Sequence, residues 1–191
     1  MIRGFLPTFK VFEVNNLTGL RNGHILAQMK ADVANIAKVE AGSSEWVENG
    51  IIVGLDAAGT ISNYDPAKHE QPFVHYTEEI LPVFSELRLF ACEIEKEDEE
   101  DAGTVYPRAI ALYVGDTFTT NNYTGTYEGA KYAKVVGGVL TLQTTADANT
   151  MFTATPTTMP NGEEGVEFQY YRKATQANDD ATGDDDVTGE G

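Results

Sequence analysis

The chain has little of what most catalytic and redox sites are made of. Its 191 residues include one cysteine, three histidines and one tryptophan. Cys92 stands alone between apolar neighbours with no base nearby, which is typical of an inert buried thiol, and no disulfide can form within one chain. A Gly-x-Ser-x-Gly elbow, a phosphate-binding loop and a Cys-x-x-Cys pair are all missing from the sequence. We therefore predict a protein that is not an enzyme and needs no cofactor.

Convincing metal-ligand spacing is also missing. His69 and His75 lie near Asp65 and Glu70, but this separation of the two histidines matches no helical or hairpin ligand pattern. The run DDATGDDD near the end of the chain has no ligand at the twelfth position of a calcium loop and no helical flanks. We predict no metal site.

Long apolar runs are absent too. No stretch approaches about 18 consecutive apolar residues, so no membrane partner is expected. The apolar start of the chain is interrupted by Pro7 and Lys10, which argues against a secretory signal.

Charge is abundant but of one sign, with a net charge of −17. Much of the acid lies in residues 93–101, EIEKEDEED, and in a low-complexity tail predicted over residues 174–191. Both segments have the composition of a solvated loop and a disordered end. Because such a chain repels phosphates, nucleic acid is not an expected partner.

Residues 1–23 are predicted to form an extended arm, because glycine and proline interrupt them repeatedly. The first thirty residues are the one basic end of the chain, with Arg3, Lys10, Arg21 and Lys30 against Glu13. The apolar residues of the arm need burial, either on the chain's own strands or on a neighbouring subunit. For the second case, the predicted partner-binding residues are Phe5, Leu6, Phe9 and Phe12.

Short β-strands separated by turns dominate the rest of the sequence. Asn49-Gly50, Asp56–Gly59 and Gly137-Gly138 each separate apolar runs, and Val139–Gln143 alternates in hydropathy. Residues 24–39 are predicted as a strand at each end with a turn or short helix between them. The fold class is therefore mainly all-β, with one or two small barrels or sandwiches, an arm and an acidic tail. We divide the strands into halves at residues 24–103 and 104–173.

The second half carries a resemblance to a known class of proteins. Val114-Gly115-Asp116 leads into Phe118-Thr119-Thr120-Asn121, a Gly-Gly hairpin follows, and a Thr-Thr-x-Pro-Asn-Gly turn precedes the last strand. This order of features resembles small virion structural proteins of tailed bacteriophages, which are head decoration, cement or other capsid-associated β-barrel proteins. The likeness covers residues 104–172, and more weakly residues 46–62.

The resemblance implies a non-enzymatic protein of the capsid that binds and stabilises the major capsid shell. It also implies a homo-oligomer, for which three copies are expected, with the major capsid protein or another virion protein as partner. Two alternatives stay open: a tail, collar or baseplate component, and a secreted carbohydrate-binding β-module. The aromatic platform of such a module would be Trp46, Tyr106, Tyr113, Tyr123 and Tyr127.

Overall fold

A computed structural model describes residues 14–18, 25–26, 30–32, 34–37, 39–41, 44–76, 91–94 and 107–172. These residues form strands, turns and loops, and no helix occurs among them, which confirms the predicted all-β class. In chain order the strands are β1 (Val14–Thr18), β2 (Ile25–Leu26), β3 (Val39–Ala41), β4 (Ser44–Glu48), β5 (Ile52–Leu55), β6 (Ile61–Asn63), β7 (Phe73–His75), β8 (Ala91–Ile94), β9 (Ala109–Ala111), β10 (Thr117–Thr120), β11 (Tyr123–Thr124), β12 (Tyr132–Val136), β13 (Val139–Gln143), β14 (Thr150–Thr158) and β15 (Glu164–Tyr170).

The largest sheet has seven strands in the order β1-β10-β15-β14-β12-β13-β11. Its neighbours are antiparallel except for β11 and β13, which run parallel. The β12–β13 hairpin closes through Gly137 and Gly138, whose φ angles of 56° and 82° are both positive. Two positive φ values suit the twist of a tight hairpin, so the predicted Gly-Gly turn is confirmed.

One face of this sheet carries an aromatic core. Alternate residues of β13 and β15 point inward, as the sequence pattern predicts. The Phe118 ring packs 5.7 Å from that of Phe168 and 6.1 Å from that of Phe152, measured between ring centroids. The Phe152 ring also lies 5.5 Å from that of Tyr170. We call the cluster around these four rings the aromatic core.

A second sheet has five strands in the order β2-β9-β7-β5-β6, and a third has three in the order β3-β4-β8. A second apolar cluster lies against them, and we call it the aliphatic core because most of its members are small or branched. Its buried residues are Ala31, Ile36, Val47, Ile51, Val53, Ile61, Phe73, Ala109 and Ala111.

Strand pairing crosses the boundaries between the predicted arm and the two predicted halves. β1, which falls in the predicted arm, pairs with β10 of the second half. β9, which falls in the second half, pairs with β2 and β7 of the first half. The sheets therefore do not separate at residues 103 and 104. The division into independent halves stays a prediction, and so does the closure of any of the three sheets into a barrel.

The turn at Asn49-Gly50 is present, but it does not join a hairpin. β4 pairs with β3 and β8, whereas β5 pairs with β6 and β7. The chain therefore crosses from one sheet to another at this turn, because long-range contacts of the turn decide where each strand goes. The next turn, Asp56–Gly59, does join a hairpin, as expected, with the Asp56 N–H donating to the Thr60 carbonyl at 2.9 Å.

Candidate functional site

A polar cleft of about 600 Å³ lies beside β6. It forms because residues 30–32 run along β6, with the Ile61 N–H donating to the Lys30 carbonyl and the Asp32 N–H to the Ile61 carbonyl, both at 2.8 Å. The tip of the β12–β13 hairpin borders the opposite side. The lining side chains and main chain belong to Asp32, Ala34, Asn35, Ile36, Asp56, Ser62, Asn63, Tyr64, Asp65, Pro66, Lys68, His69, Val135 and Gly137.

The imidazole of His69 lines this cleft and is 2% exposed, with a polar atom near each of its two nitrogens. The Asp65 N–H donates to its Nδ1 at 2.9 Å, and its Nε2 lies 3.4 Å from Ser62 Oγ. Gly54 permits this position, since a Cβ there would lie 2.2 Å from Cγ of the ring. Burial lowers the pKa of His69, and the Asp65 and Asp56 carboxylates oppose that shift.

This arrangement decides what Ser62 and His69 can do together. Because Nδ1 accepts a main-chain hydrogen bond, the neutral ring carries its proton on Nε2, the atom that faces Ser62. A general base would need an unprotonated nitrogen facing the hydroxyl. The pair in this geometry therefore holds the loop after β6 in place and does not activate the serine.

The carboxylates of the cleft are engaged in its turns. Asp32, Asp56 and Asp65 each accept a hydrogen bond from the N–H two residues further along the chain, at 2.9–3.2 Å. Asp56 also accepts from the Thr60 hydroxyl, and this bond is the largest cause of its lowered pKa. Among the residues that the structure describes, no group of three or more His, Cys, Asp or Glu side chains could hold a metal ion.

A second polar cluster is buried where the sheets meet, and we call it the junction: Asn49, Gly50, His75, Thr120 and Asn122. The Asn122 side-chain amide donates to the Asn49 carbonyl at 2.7 Å. The Gly50 N–H donates to the His75 carbonyl at 3.0 Å, and a Cβ on Gly50 would lie 2.5 Å from Thr120 Oγ1. Asn49, His75 and Thr120 are 0% exposed and Asn122 is 8% exposed, so these bonds form away from water.

His75 is fully buried in the junction. The ring Nδ1 lies 2.8 Å from the Glu48 carbonyl. The main-chain N–H of His75 donates to the Ile51 carbonyl at 2.9 Å. Since a carbonyl only accepts, Nδ1 carries a proton and donates it. Burial lowers the pKa of His75 to about 4, and the Glu48 hydrogen bond opposes this. His75 is thus uncharged at neutral pH and has a structural role. It belongs to the junction, whereas His69 belongs to the cleft.

Residues 118–121, which belong to the stretch that carries the resemblance, are buried. Asp116 accepts from the Tyr113 N–H at 2.8 Å within the turn before β10, and Phe118 is completely buried. Asn121 donates from its side chain to Glu163 Oε2 at 2.9 Å, which ties β10 to the β14–β15 turn. Asp116, Asn121 and Asn122 therefore serve internal hydrogen bonds. The Thr119 hydroxyl is buried without a hydrogen-bond partner among the described residues.

The other predicted site residues are not brought together in the described part of the chain. Phe5, Leu6, Phe9 and Phe12 lie outside the described residues. Of the aromatic platform, Tyr123 and Tyr127 stack with centroids 6.3 Å apart and pack against the aromatic core, whereas Tyr113 packs against the aliphatic core. Tyr106 and the side chains of Trp46 and Cys92 lie outside the described part.

The sequence analysis missed both the cleft and the junction. One available signal for the cleft was the three aspartates Asp32, Asp56 and Asp65. Aspartate side chains at turns commonly accept from the main-chain N–H two residues further on. The junction has no such local signal, because Asn122 and Asn49 are 73 residues apart.

Within the described ranges no helix long and apolar enough to cross a membrane occurs. In comparisons with known proteins, no family model, no curated protein and no solved structure matches the chain.

Proposed function

We propose that the chain is a non-enzymatic structural protein of a bacteriophage particle, a decoration or cement protein that binds the capsid shell and stabilises it. The observation that carries the proposal is the inward use of the Thr-Asn stretch at residues 119–122. The Asn122 side chain bonds to the Asn49 carbonyl where the sheets meet, and Thr120 accepts from the Asn122 N–H and packs against Gly50. Asn121 fastens the β14–β15 turn. A stretch used in this way serves rigidity, which a shell-binding protein needs.

The position of β1 supports an attachment role for the segment before it. Among the strands that the structure describes, β1 lies at an edge of the seven-stranded sheet and pairs with β10. Strand pairing at residues 14–18 provides a fixed base, and the four apolar residues proposed to bind a partner all precede it in the chain. Arg3 and Lys10 also precede it, and their charge is opposite to that of the chain as a whole.

The binding energy expected from this segment is modest. Each fully buried aromatic side chain contributes on the order of 2–3 kcal/mol, while fixing a flexible segment costs roughly 1–2 kcal/mol per residue. Tight attachment therefore requires several copies acting together, as in a symmetric homo-oligomer. We propose three copies, from the resemblance.

The test is co-sedimentation of purified protein with phage heads that lack it. Deletion of residues 1–13 removes the proposed contacts and keeps β1, whereas deletion of residues 1–23 removes β1 as well. We expect the shorter deletion to keep the folded circular dichroism spectrum and to lose head binding. A full-length variant with Phe5, Phe9 and Phe12 changed to serine should behave in the same way.

Three results would redirect the proposal. Unchanged head binding after deletion of residues 1–13 would place attachment on the sheets. Binding of the intact chain to purified tails but not to heads would favour a tail, collar or baseplate role. Binding on a glycan array without any binding to particles would favour the carbohydrate-binding alternative. Substituting Arg3 and Lys10 by glutamine is a matched control that separates charge from apolar contact, because only a charge effect is screened by salt.

A further inference from the structure

The chain contains three Asn-Gly pairs, and the structure places two of them in contrasting surroundings. Asn49-Gly50 lies in the junction and Asn161-Gly162 in the turn between β14 and β15, while Asn22-Gly23 lies outside the described residues. Glycine after asparagine leaves its main-chain nitrogen unshielded by a side chain, so that this nitrogen can reach the asparagine amide carbon. Whether it does so depends on the conformation and freedom of each turn.

The Asn161-Gly162 turn is exposed, and its geometry favours the reaction. The Glu163 N–H donates to Asn161 Oδ1 at 3.0 Å, which holds the side-chain carbonyl over the main chain that follows it. A donor at this oxygen also stabilises the negative charge that develops when a nucleophile adds to the carbonyl. Two main-chain hydrogen bonds close the turn and oppose the reaction: the Gly162 N–H donates to the Met159 carbonyl at 2.9 Å, and the Met159 N–H donates to the Glu163 carbonyl at 2.8 Å. Residues 161–163 are nevertheless exposed.

The Asn49-Gly50 turn is held on every side. Asn49 is 0% exposed, and its carbonyl accepts from the Asn122 side chain. The Gly50 N–H donates to the His75 carbonyl, and Gly50 packs directly against Thr120. The Gly50 nitrogen can bond to Cγ of Asn49 only if the junction between two sheets opens. An exposed hairpin turn, by contrast, opens locally at little cost in free energy.

From this contrast we infer that Asn161 is a site of spontaneous covalent modification in the folded protein, and that Asn49 is protected. The main-chain nitrogen of Gly162 loses its proton to solvent base and bonds to Cγ of Asn161. The bond from Cγ to the side-chain nitrogen breaks. Ammonia is released, and residues 161 and 162 are joined in a cyclic imide. Water then adds to either imide carbonyl and gives aspartate or isoaspartate. One water is consumed, one ammonia is released, and the protein gains one negative charge.

The fold is compatible with the aspartate product. Four other turns of the same kind accept the N–H two residues ahead, and each uses an aspartate: Asp32, Asp56, Asp65 and Asp147. Asn161 is the asparagine member of this set. Isoaspartate, by contrast, inserts a methylene into the main chain between residue 161 and Gly162, two residues before Glu163, which accepts from Asn121. The two products therefore differ in their effect on the contact between this turn and β10.

The test is a time course of peptide mass mapping on the intact chain at mildly alkaline pH, with each Asn-Gly pair read from its own peptide. We expect Asn161 to be converted at least about tenfold faster than Asn49 in the folded protein, and the two rates to converge in denaturant. The variant Asn161→Gln is the matched control, because it keeps an amide but cannot form the five-membered ring, and it should remove the fast conversion.

Two results would overturn the inference. One is equal conversion of Asn49 and Asn161 in the folded protein. The other is an intact Asn161 in the folded protein after a period in which the denatured chain is converted. A separate measurement tests the products: Asn161→Asp should keep the thermal midpoint of the parent chain, and a clear drop would contradict acceptance of aspartate in this turn. None of these readouts depends on the proposed role in a phage particle.

Discussion

The aromatic core and the aliphatic core are built on different principles. The aromatic core lies under the longest strands, β14 and β15, and its rings contact one another edge to face or tilted. The aliphatic core lies under strands of two to five residues and is bordered by turns capped by Asp32 and Asp56. Between the two, the buried polar junction connects the sheets.

This difference teaches where stability and geometry reside. Large rings in regular strands remove much apolar surface from water and tolerate few alternatives in packing. Small side chains on short strands bury less, so the second region depends more on turn hydrogen bonds and on its attachment to the first. Substitutions in matched pairs, one from each region, can break or sharpen this comparison.

The largest expected effect is loss of a ring from the aromatic core. Phe118→Ala should lower the free energy of unfolding by about 3–5 kcal/mol. Phe73→Ala removes the same side chain from the aliphatic core, and it should cost less by about 0.5–1.5 kcal/mol because no aromatic pair is lost. Urea unfolding of both variants measures the difference. An equal or greater loss for Phe73→Ala would overturn the proposed ranking of the cores.

The junction should be nearly as sensitive as the aromatic core to one added methyl group. Gly50 has a φ of 88°, and a Cβ there would meet Thr120 Oγ1 at 2.5 Å. Gly50→Ala should cost roughly 1–2 kcal/mol for the left-handed conformation and roughly 1–3 kcal/mol more for overpacking.

Gly59 provides the matched control for this substitution. Its φ is 80°, but nothing lies within 4 Å of an added Cβ. Gly59→Ala should therefore show the conformational cost alone. Equal thermal midpoints for the two variants would mean that the junction accommodates the added methyl group without loss of stability.

The junction should also make stability depend on pH. The folded pKa of His75 is about 4, below its ordinary value of 6.5. The unfolded chain therefore binds the proton first as the pH falls. The stabilisation is complete above pH 6.5 and is lost progressively down to pH 4, by up to about 3 kcal/mol. His69, whose pKa is also lowered, adds a contribution of the same sign.

Urea midpoints measured across this pH range, for the parent chain and for His75→Gln, test the assignment. The variant keeps a side-chain N–H donor but does not titrate, so its stability should vary much less with pH. A parent chain whose midpoint stays constant between pH 6.5 and 4 would contradict a buried neutral His75.

The smallest effect is expected from a single hydrogen bond of the junction. Asn122→Ala leaves the buried Asn49 carbonyl without its side-chain donor and should cost about 1–2 kcal/mol. Asn149→Ala is the control, since Asn149 is exposed and the change should stay within about 0.5 kcal/mol. If thermal melting cannot separate the two variants, the bond across the sheets contributes nothing.

Local chemistry let the sequence by itself determine the class of fold and several of its parts. Alternation predicts the inward faces of β13 and β15, and paired glycines predict the β12–β13 turn, because side-chain period and turn conformation depend on near neighbours. The lack of reactive residues and the resemblance led to the proposed structural role, which stays a prediction, as do the contacts of Phe5, Leu6, Phe9 and Phe12.

Only the tertiary structure decided which strands meet. β4 and β5 flank one turn yet enter different sheets. β1 of the predicted arm joins β10 of the second half, and β9 of the second half joins β2 and β7 of the first. The cleft and the junction arise from this arrangement, with Asn122 reaching Asn49 across 73 residues. Such contacts depend on long-range packing, and their loop-closure cost is offset only when the whole fold forms, so no local pattern reveals them.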